Sequence, residues 1–531
     1  MSAPSGGRSA ARSAGIVGLA VLSSRILGLV REMVFASLFG AGRSLDAFLI
    51  AFRTPNLLRD LFAEGALSTA FVTTFSKKIA TEGEHSAWSL ANKVATLTAV
   101  FMSGVVLLGV LFAPWIIRIM APGFDPEKMA LTILLARIMY PFILLVSLAA
   151  LVMGMLNARQ VFGMPAMASS FFNLGSIVAG VGLGWWLDPA WGPRALVGLA
   201  LGTLVGGFLQ LVVQFPALRR VGYRFRPDFI WRDPGVRRVL GLMGPAVVAA
   251  SAVQVNVLIN GIFASHLEDG AVSWLQIAFR LMQFPLGIFG VAIGTVTLPL
   301  VARNAALGNM EGFREVLARG MRLALFLTIP AAVGLIVLAD PIISLLYERG
   351  KFDAAMTAQT AGALRYYALG LVAYSALKVL TPAFYAIDRR HTPMVIGFVS
   401  IATNAVLNWV LTFQFGMGHR GLALSTGAVA VINFVVLYAI MWRHLGRLEN
   451  RALVGFLLRT LVAAAALGAI CLWGSGVWLA DWAGAGLGER VLRLFSLIGV
   501  AGTAFFGVAL ALRVSEMREV GEVIARKLRR G

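Results

Sequence analysis

Long apolar blocks recur along this chain, and no other feature limits its fold as tightly. Fourteen of them run between polar or Gly/Pro breaks, at 15–39, 45–75, 88–119, 128–157, 163–187, 194–216, 236–265, 272–303, 315–347, 355–386, 392–414, 420–443, 452–478 and 488–513. An α-helix of about 20 apolar residues crosses a hydrocarbon core of roughly 30 Å. The fold class expected is therefore an all-α polytopic membrane protein of about fourteen transmembrane helices. Composition agrees, with 59% hydrophobic and only 13% charged residues, against roughly 45–50% and about 25% in soluble domains.

A formal net charge of +21 raises the question of nucleic acid, and the positions of the charges answer it. With the N-terminus and its Arg8 and Arg12 on the inner side, one set of breaks carries Lys77, Lys78, Arg159, the run from Arg219 to Arg238, Arg303, Arg314, Arg389 and Arg390. The opposite set holds fewer, among them Arg43, Lys128, Arg349 and Lys351. Basic residues gather on the cytoplasmic side of multi-span proteins, so both termini are expected in the cytoplasm and no nucleic-acid partner is implied. Met1 to Ser13 is polar, with no cleavable signal pattern. The single cysteine, Cys471, sits among apolar neighbours and reads as a packed thiol.

The chain repeats itself. Pro114 and Asp125 recur as Pro341 and Asp353, Pro165 as Pro393, Arg137 as Arg365 and Arg53 as Arg280, each 227 or 228 residues on. Six helices lie between equivalent points, and an even number gives both halves one orientation. These are parallel repeats, of the kind that place a substrate near the midplane between two rocking lobes. The expected organisation is an N-terminal lobe at 1–217, a basic cytoplasmic linker at 218–235 and a C-terminal lobe at 236–446. Two extra helices follow at 447–513, then a basic tail at 514–531 with apolar and basic residues at helical spacing, suited to the anionic inner leaflet.

Charges inside spanning helices cost roughly 2.5–3.5 kcal/mol each on insertion scales and point to function. The first block holds Ser24, Arg25 and Arg31, and Arg25 lies too deep to snorkel to either interface. The second holds Asp46, Arg53, Asn56, Arg59, Asp60 and Glu64 around Pro55, which should kink the helix or free backbone carbonyls. Arg280 lies in the eighth block, Arg365 and Lys378 in the tenth and Arg137 in the fourth. Arginine grips phosphate oxygens in a bidentate way that lysine cannot match, and the surplus of arginine calls for an anionic guest. The bland alternative pairs each arginine with an internal acid, such as Arg31 with Asp46 or Arg59 with Glu64. It leaves Arg280 without a local acid, and it suits Arg137 and Arg365 best, as struts inside a lobe. The five histidines show no ligand spacing, and no nucleophile–base pair or catalytic carboxylate cluster stands out.

The run Ser24-Arg25-Ile26-Leu27-Gly28-Leu29-Val30-Arg31-Glu32 resembles the signature of the MurJ (MviN) lipid II flippases. So do Asp46-Ala47-Phe48, Pro55-Asn56-Leu57-Leu58-Arg59, Phe62-Ala63-Glu64-Gly65-Ala66, Ala121-Pro122-Gly123-Phe124, Arg280-Leu281-Met282-Gln283-Phe284-Pro285 and Lys378-Val379-Leu380. The resemblance covers nearly the whole chain from Ala14. It implies a MOP-superfamily exporter in the bacterial inner membrane that moves the undecaprenyl-pyrophosphate-linked peptidoglycan precursor from the cytoplasmic to the periplasmic leaflet. It also implies that Arg25, Arg31, Arg59 and Arg280, with Arg53, Ser24 and Asn56, hold the diphosphate, and that Asp46, Glu64 and Lys378 are charge partners in the cavity. The last two helices would form a groove for the polyprenyl tail. Two departures stand out: relatives often carry acids where this chain has Phe279 and Gln283, and often lysine where it has Arg53.

Other readings make different demands. A drug exporter of the same superfamily should have a net acidic cavity, and an exporter of another polyprenyl-linked glycan shares the arginines but not the strings above. An enzyme of polyprenyl phosphates needs a metal-binding acidic pair or a cavity histidine. A scaffold leaves the buried arginines without purpose. No cofactor is expected. The driving force stays open between the membrane potential and an ion gradient, with Asp388 and Asn404 as candidate sodium ligands. Besides lipid II, membrane lipids and the cell-wall synthesis machinery are the expected partners.

Overall fold

Helix follows helix through the residues described by the computed structural model, which are 6–61, 67–446, 450–482 and 484–517, and no strand occurs among them. Glu64 and the tail beyond Met517 lie outside the described residues. The chain divides into two units, residues 1–272 with 350–352, and residues 273–349 with 353–531.

Unit 1 contains α1 (Gly6–Phe39), α2 (Arg43–Leu58), α3 (Ser68–Glu82), α4 (Glu84–Met120), α5 (Pro126–Met139), α6 (Phe142–Ala158), α7 (Gly163–Leu187), α8 (Ala195–Val212), α9 (Phe215–Arg220) and α10 (Pro234–Ser265). Helix α10, which the sequence groups with the second lobe, packs here against α3 and α4. Its first turn is anchored by Asp233, which caps the helix by accepting from the Gly235 N–H and also accepts from Lys93 Nζ at 2.8 Å. Unit 2 contains α11 (Ala271–Pro285, starting two residues before the boundary), α12 (Ala292–Ala306), α13 (Met310–Val337), α14 (Ala339–Tyr347), α15 (Ala354–Ala386), α16 (His391–Trp409), α17 (His419–Leu445), α18 (Asn450–Val477) and α19 (Leu487–Ala511). Single π-helical turns at Leu286–Val291 and Val410–Gln414 join α11 to α12 and extend α16. The first comes directly after Pro285, which has no N–H to continue the α-helical ladder.

Eleven of these stretches are long and apolar enough to cross a membrane. The expected spans at 15–39, 45–75 and 236–265 are not among the eleven. The first carries Arg25, Arg31 and Glu32, the second runs through residues outside the described set, and the third carries Ser251, Gln254, Asn256 and Asn260. Fourteen is thus the sequence reading, and eleven the number that length and apolarity alone support among the described residues.

The internal repeat is visible in three dimensions. Pro126–Ala158 and Ala354–Ala386 stand 228 residues apart at both ends. Asp125 caps the first by accepting from the Glu127 and Lys128 N–H groups, and Asp353 caps the second by accepting from the Met356 N–H. Arg137 Nε donates to the Val110 carbonyl at 3.2 Å, and Arg365 Nε donates to the Ile336 carbonyl at 3.3 Å. Both arginines are therefore struts to an earlier helix of their own unit, Arg137 to α4 and Arg365 to α13, and Arg365 pairs in addition with Asp340 on α14. The halves differ at Tyr140–Pro141, where the first breaks into α5 and α6 because Pro141 lacks an N–H; α15 has Leu369 there and continues.

Glycines bring α7 and α8 into backbone contact. A Cβ on Gly198 would lie 2.2 Å from the Gly184 nitrogen, one on Gly202 2.3 Å from the Gly180 Cα, and one on Gly206 2.5 Å from the Phe172 carbonyl oxygen. Small residues four apart allow this approach in lipid, where packing rather than hydrophobicity joins helices. Gly202→Ala is expected to destabilise the protein by about 1–3 kcal/mol, since backbone cannot move aside. Gly182→Ala, whose Cβ meets nothing within 4 Å, should melt like the parent in detergent.

In unit 2, α13, α18 and α19 share a core around Phe326, Phe456, Leu467, Leu494 and Phe505. The rings of Phe326 and Phe505 lie 5.2 Å apart. Cys471 is a buried free thiol in this cluster. The chain beyond α19 is tied back by Arg322 Nε, which donates at 2.6 Å to the buried Glu516.

Candidate functional site

The candidate residues fall into a group on α1 and α2 of unit 1 and a smaller group on α11, α15 and α16 of unit 2. In unit 1, α7 seats α1: Asn173 Nδ2 donates to the Ser24 carbonyl at 3.1 Å, and the half-buried Arg31 guanidinium lies 5.1 Å over the Phe172 ring. An aromatic face attracts a cation without neutralising it. Arg25, six positions earlier, is exposed, about 9 Å away along the axis.

On α2, Arg53 extends toward α10, where a Cβ on Gly261 would meet Arg53 Nη1 at 2.8 Å. A larger residue there would make the guanidinium shift. Arg59 donates from Nε and Nη2 to Asp60 Oδ1 at 3.2 and 2.9 Å. Asn56 Nδ2 and, from α10, Gln254 Nε2 donate to Asp60 Oδ2 at 3.5 and 3.4 Å. Asp60 is thus a partner of Arg59. The pairing of Arg59 with Glu64 concerns a residue outside the described set. Arg53, Asn56, Arg59 and Gln254 form one polar face on α2 and α10.

Asp46 belongs to a different group. It is 1% exposed and accepts from Lys128 Nζ at 3.0 Å and from the Gly270 N–H at 2.7 Å. Lys128, 3% exposed, also donates to Asp269 at 2.7 Å and lies 4.1 Å over the Phe124 ring. Arg43 donates to Asp125 at 2.6 Å and lies 3.5 Å from Asp269. These charges link the α1–α2, α4–α5 and α10–α11 connections. Lys128 reads from sequence as an ordinary loop cation. The available signal was asymmetry: at the repeat spacing, Asp46 and Lys128 correspond to the neutral Ser273 and Met356.

The hydrogen bonds from Arg43 hold the Asp125 carboxyl at about 2, well below the usual carboxylate range. A depressed acid stabilises the fold above its unfolded value and loses that effect as pH falls through its folded one. Asp125→Asn keeps a capping side chain and loses the charge. Its deficit in melting temperature should therefore be full above about pH 4 and shrink toward zero as pH approaches about 2.

In unit 2, Arg280 is half-buried on α11, and its neighbour Phe279 stacks edge-on against Tyr367 at 5.3 Å. Lys378 is exposed on α15. A Cβ on Gly294 would meet the Lys378 carbonyl oxygen at 2.6 Å, so α12 packs tightly against α15 there. The two sodium candidates do not come together. Asp388 is in the turn before α16 at φ 57°, while Asn404 is fully buried thirteen residues into that helix, about 20 Å along its axis. Asn404 Oδ1 accepts from Asn408 Nδ2 at 2.8 Å, and Ser425 bonds to Asn408 in turn. This is a neutral amide–hydroxyl chain. Among the described residues no group of three or more His, Cys, Asp or Glu could hold a metal ion.

The sequence pattern of the family described as lipid II flippase MurJ matches residues 35–492. A probable lipid II flippase MurJ of Vibrio cholerae is 35% identical over 510 residues, covering 94% of this chain and 95% of the relative. The fold is similar to a solved lipid II flippase MurJ in an inward closed conformation, with TM-score 0.75 and 25% identity over 95% of this chain and 99% of that one. A multidrug resistance MATE family transporter of the MOP superfamily in an inward-facing conformation shares the fold at TM-score 0.68 and 16% identity, over 80% of this chain and 96% of that one.

Proposed function

Because the chain belongs to the MurJ family of lipid II flippases, which are transporters and not enzymes, we propose that it carries lipid II from the cytoplasmic to the periplasmic leaflet of the bacterial inner membrane by alternating access. Both termini are then cytoplasmic, and the cargo feeds the cell-wall synthesis machinery outside. Arg25, Arg31, Arg53, Arg59 and Arg280, with Ser24 and Asn56, are the residues proposed to bind the diphosphate. The observation that carries this reading is the set of half-buried arginines Arg31, Arg53 and Arg59 on α1 and α2. Lipid is hostile to such charges, and a hydrated anion gives them a reason to be there. Asp60 pairs with Arg59, so the guest's phosphate exchanges with that carboxylate, whereas Asp46, held by Lys128, acts as an anchor.

The wide separation of Asp388 and Asn404 argues against a sodium ion shared by the two; the drive proposed is the membrane potential or an ion gradient, the former worth about 2.3 kcal/mol per charge per 100 mV. The deciding experiment depletes the protein in its host and assays which leaflet holds the lipid-linked peptidoglycan precursor. Accumulation on the cytoplasmic face, followed by lysis, is expected. An unchanged distribution in cells with no second flippase would overturn the assignment.

A further inference from the structure

The connection between α9 and α10 is more than a tether. It forms neither helix nor strand and is fastened to the third and fourth turns of α4: the Arg226 N–H donates to Asn92 Oδ1 at 3.1 Å, and the Asp228 N–H donates to Thr96 Oγ1 at 3.0 Å. Tyr223 is buried, 5.2 Å from the Trp88 ring, which lies 5.2 Å from Phe75. The segment therefore has a defined position along α4.

Helix α4 itself indicates the depth of that position. Its exposed apolar side chains begin at Val100 and Phe101, continue through Leu107, Leu111 and Trp115, and end at Ile119. Nineteen residues of rise cover about 28 Å, matching a hydrocarbon core of roughly 30 Å. Thr96 lies one turn before Val100, at headgroup level. The segment fastened there exposes Phe225 (54%), Phe229 (64%) and Ile230 (67%). Interleaved with them are the exposed Arg219, Arg220, Arg224, Arg226 and Arg232. Of the two nearby acids, Asp233 is already paired with Lys93.

We propose that residues 219–232 dock into the anionic headgroup layer of the bilayer, the three apolar side chains entering the interface and the arginines binding phospholipid phosphates. Charge complementarity and depth both select this occupant: cations gather at an anionic lipid surface, and apolar side chains beside basic ones are the pattern of interfacial segments. The surface is separate from the arginines of α1 and α2, and holds whatever the transported molecule is.

The test uses the full chain with Cys471→Ala and Ile230→Cys carrying a bimane label, reconstituted into vesicles of phosphatidylcholine alone or mixed with phosphatidylglycerol. Phe225→Cys provides a second reporter position. Expected are quenching by phospholipid spin-labelled near the headgroup, protection from aqueous acrylamide, and stronger lipid quenching with phosphatidylglycerol. Arg224→Gln, Arg226→Gln and Arg232→Gln together should abolish the phosphatidylglycerol increment. Acrylamide quenching without lipid quenching at both positions would overturn the proposal and leave the surface to a protein partner. Lipid quenching indifferent to phosphatidylglycerol would also overturn it, reducing the segment to an uncharged anchor.

Discussion

Arg31→Ala, expressed in place of the native chain, is expected to support no growth while accumulating normally in the membrane fraction. The half-buried guanidinium of Arg31 lies over Phe172, an arrangement that orients it. Losing one partner of a desolvated charge pair costs about 2–5 kcal/mol, or roughly 30-fold to several thousand-fold in affinity. Arg31→Lys should restore only part of the activity, because a point charge replaces a planar fork. Arg25→Ala and Arg280→Ala are expected to behave like Arg31→Ala. Binding of purified lipid II to each variant separates this from misfolding: affinity should drop while the melting temperature holds. Arg137→Ala is the contrast, since its Nε bonds the Val110 carbonyl; it should lower stability before it touches binding. Normal growth with Arg31→Ala as the only copy would remove this residue from the transport machinery.

Lys128→Met is the second large effect, and it acts on stability. Asp46 would remain buried and lose the Lys128 ammonium. Removing one member of a buried pair costs about 3–5 kcal/mol, because the other charge stays desolvated and uncompensated. The side chain removed also bridges to Asp269 and covers Phe124, so the connection between α10 and α11 loosens with it. Pairing Lys128→Met with Asp46→Asn should recover most of the loss, since replacing both charges leaves nothing uncompensated. Thermal unfolding of the two single variants and the double variant gives the coupling directly. Additive losses would mean that the buried contact is incidental.

Parts of the protein could be read along the chain because their causes are local. An apolar run needs only its own length to become a spanning helix. Asp125 and Asp353 needed only a proline or a free N–H just ahead to become caps. The repeat, a regularity in the order of residues, made Arg137 and Arg365 equivalent positions before any coordinates did, and the structure made both of them struts. The candidate arginines were legible for the same reason: a charge inside a long apolar block is conspicuous wherever its neighbours turn out to be.

What the charges touch was decided by tertiary structure. Arg59 turned to Asp60, the residue beside it, in an arrangement completed by Gln254 from α10. Asp46, read as a cavity acid, lies instead against Lys128, 82 positions away, and Lys128 reaches Asp269 a further 141 positions on. Asp388 and Asn404 share a region of sequence and no site. No periodicity encodes such meetings. A buried charge takes its counter-ion from whichever connection the packed helices bring within 3 Å or so, since desolvation makes a nearby partner worth far more than one left in water. Only the folded chain specifies which residue that is.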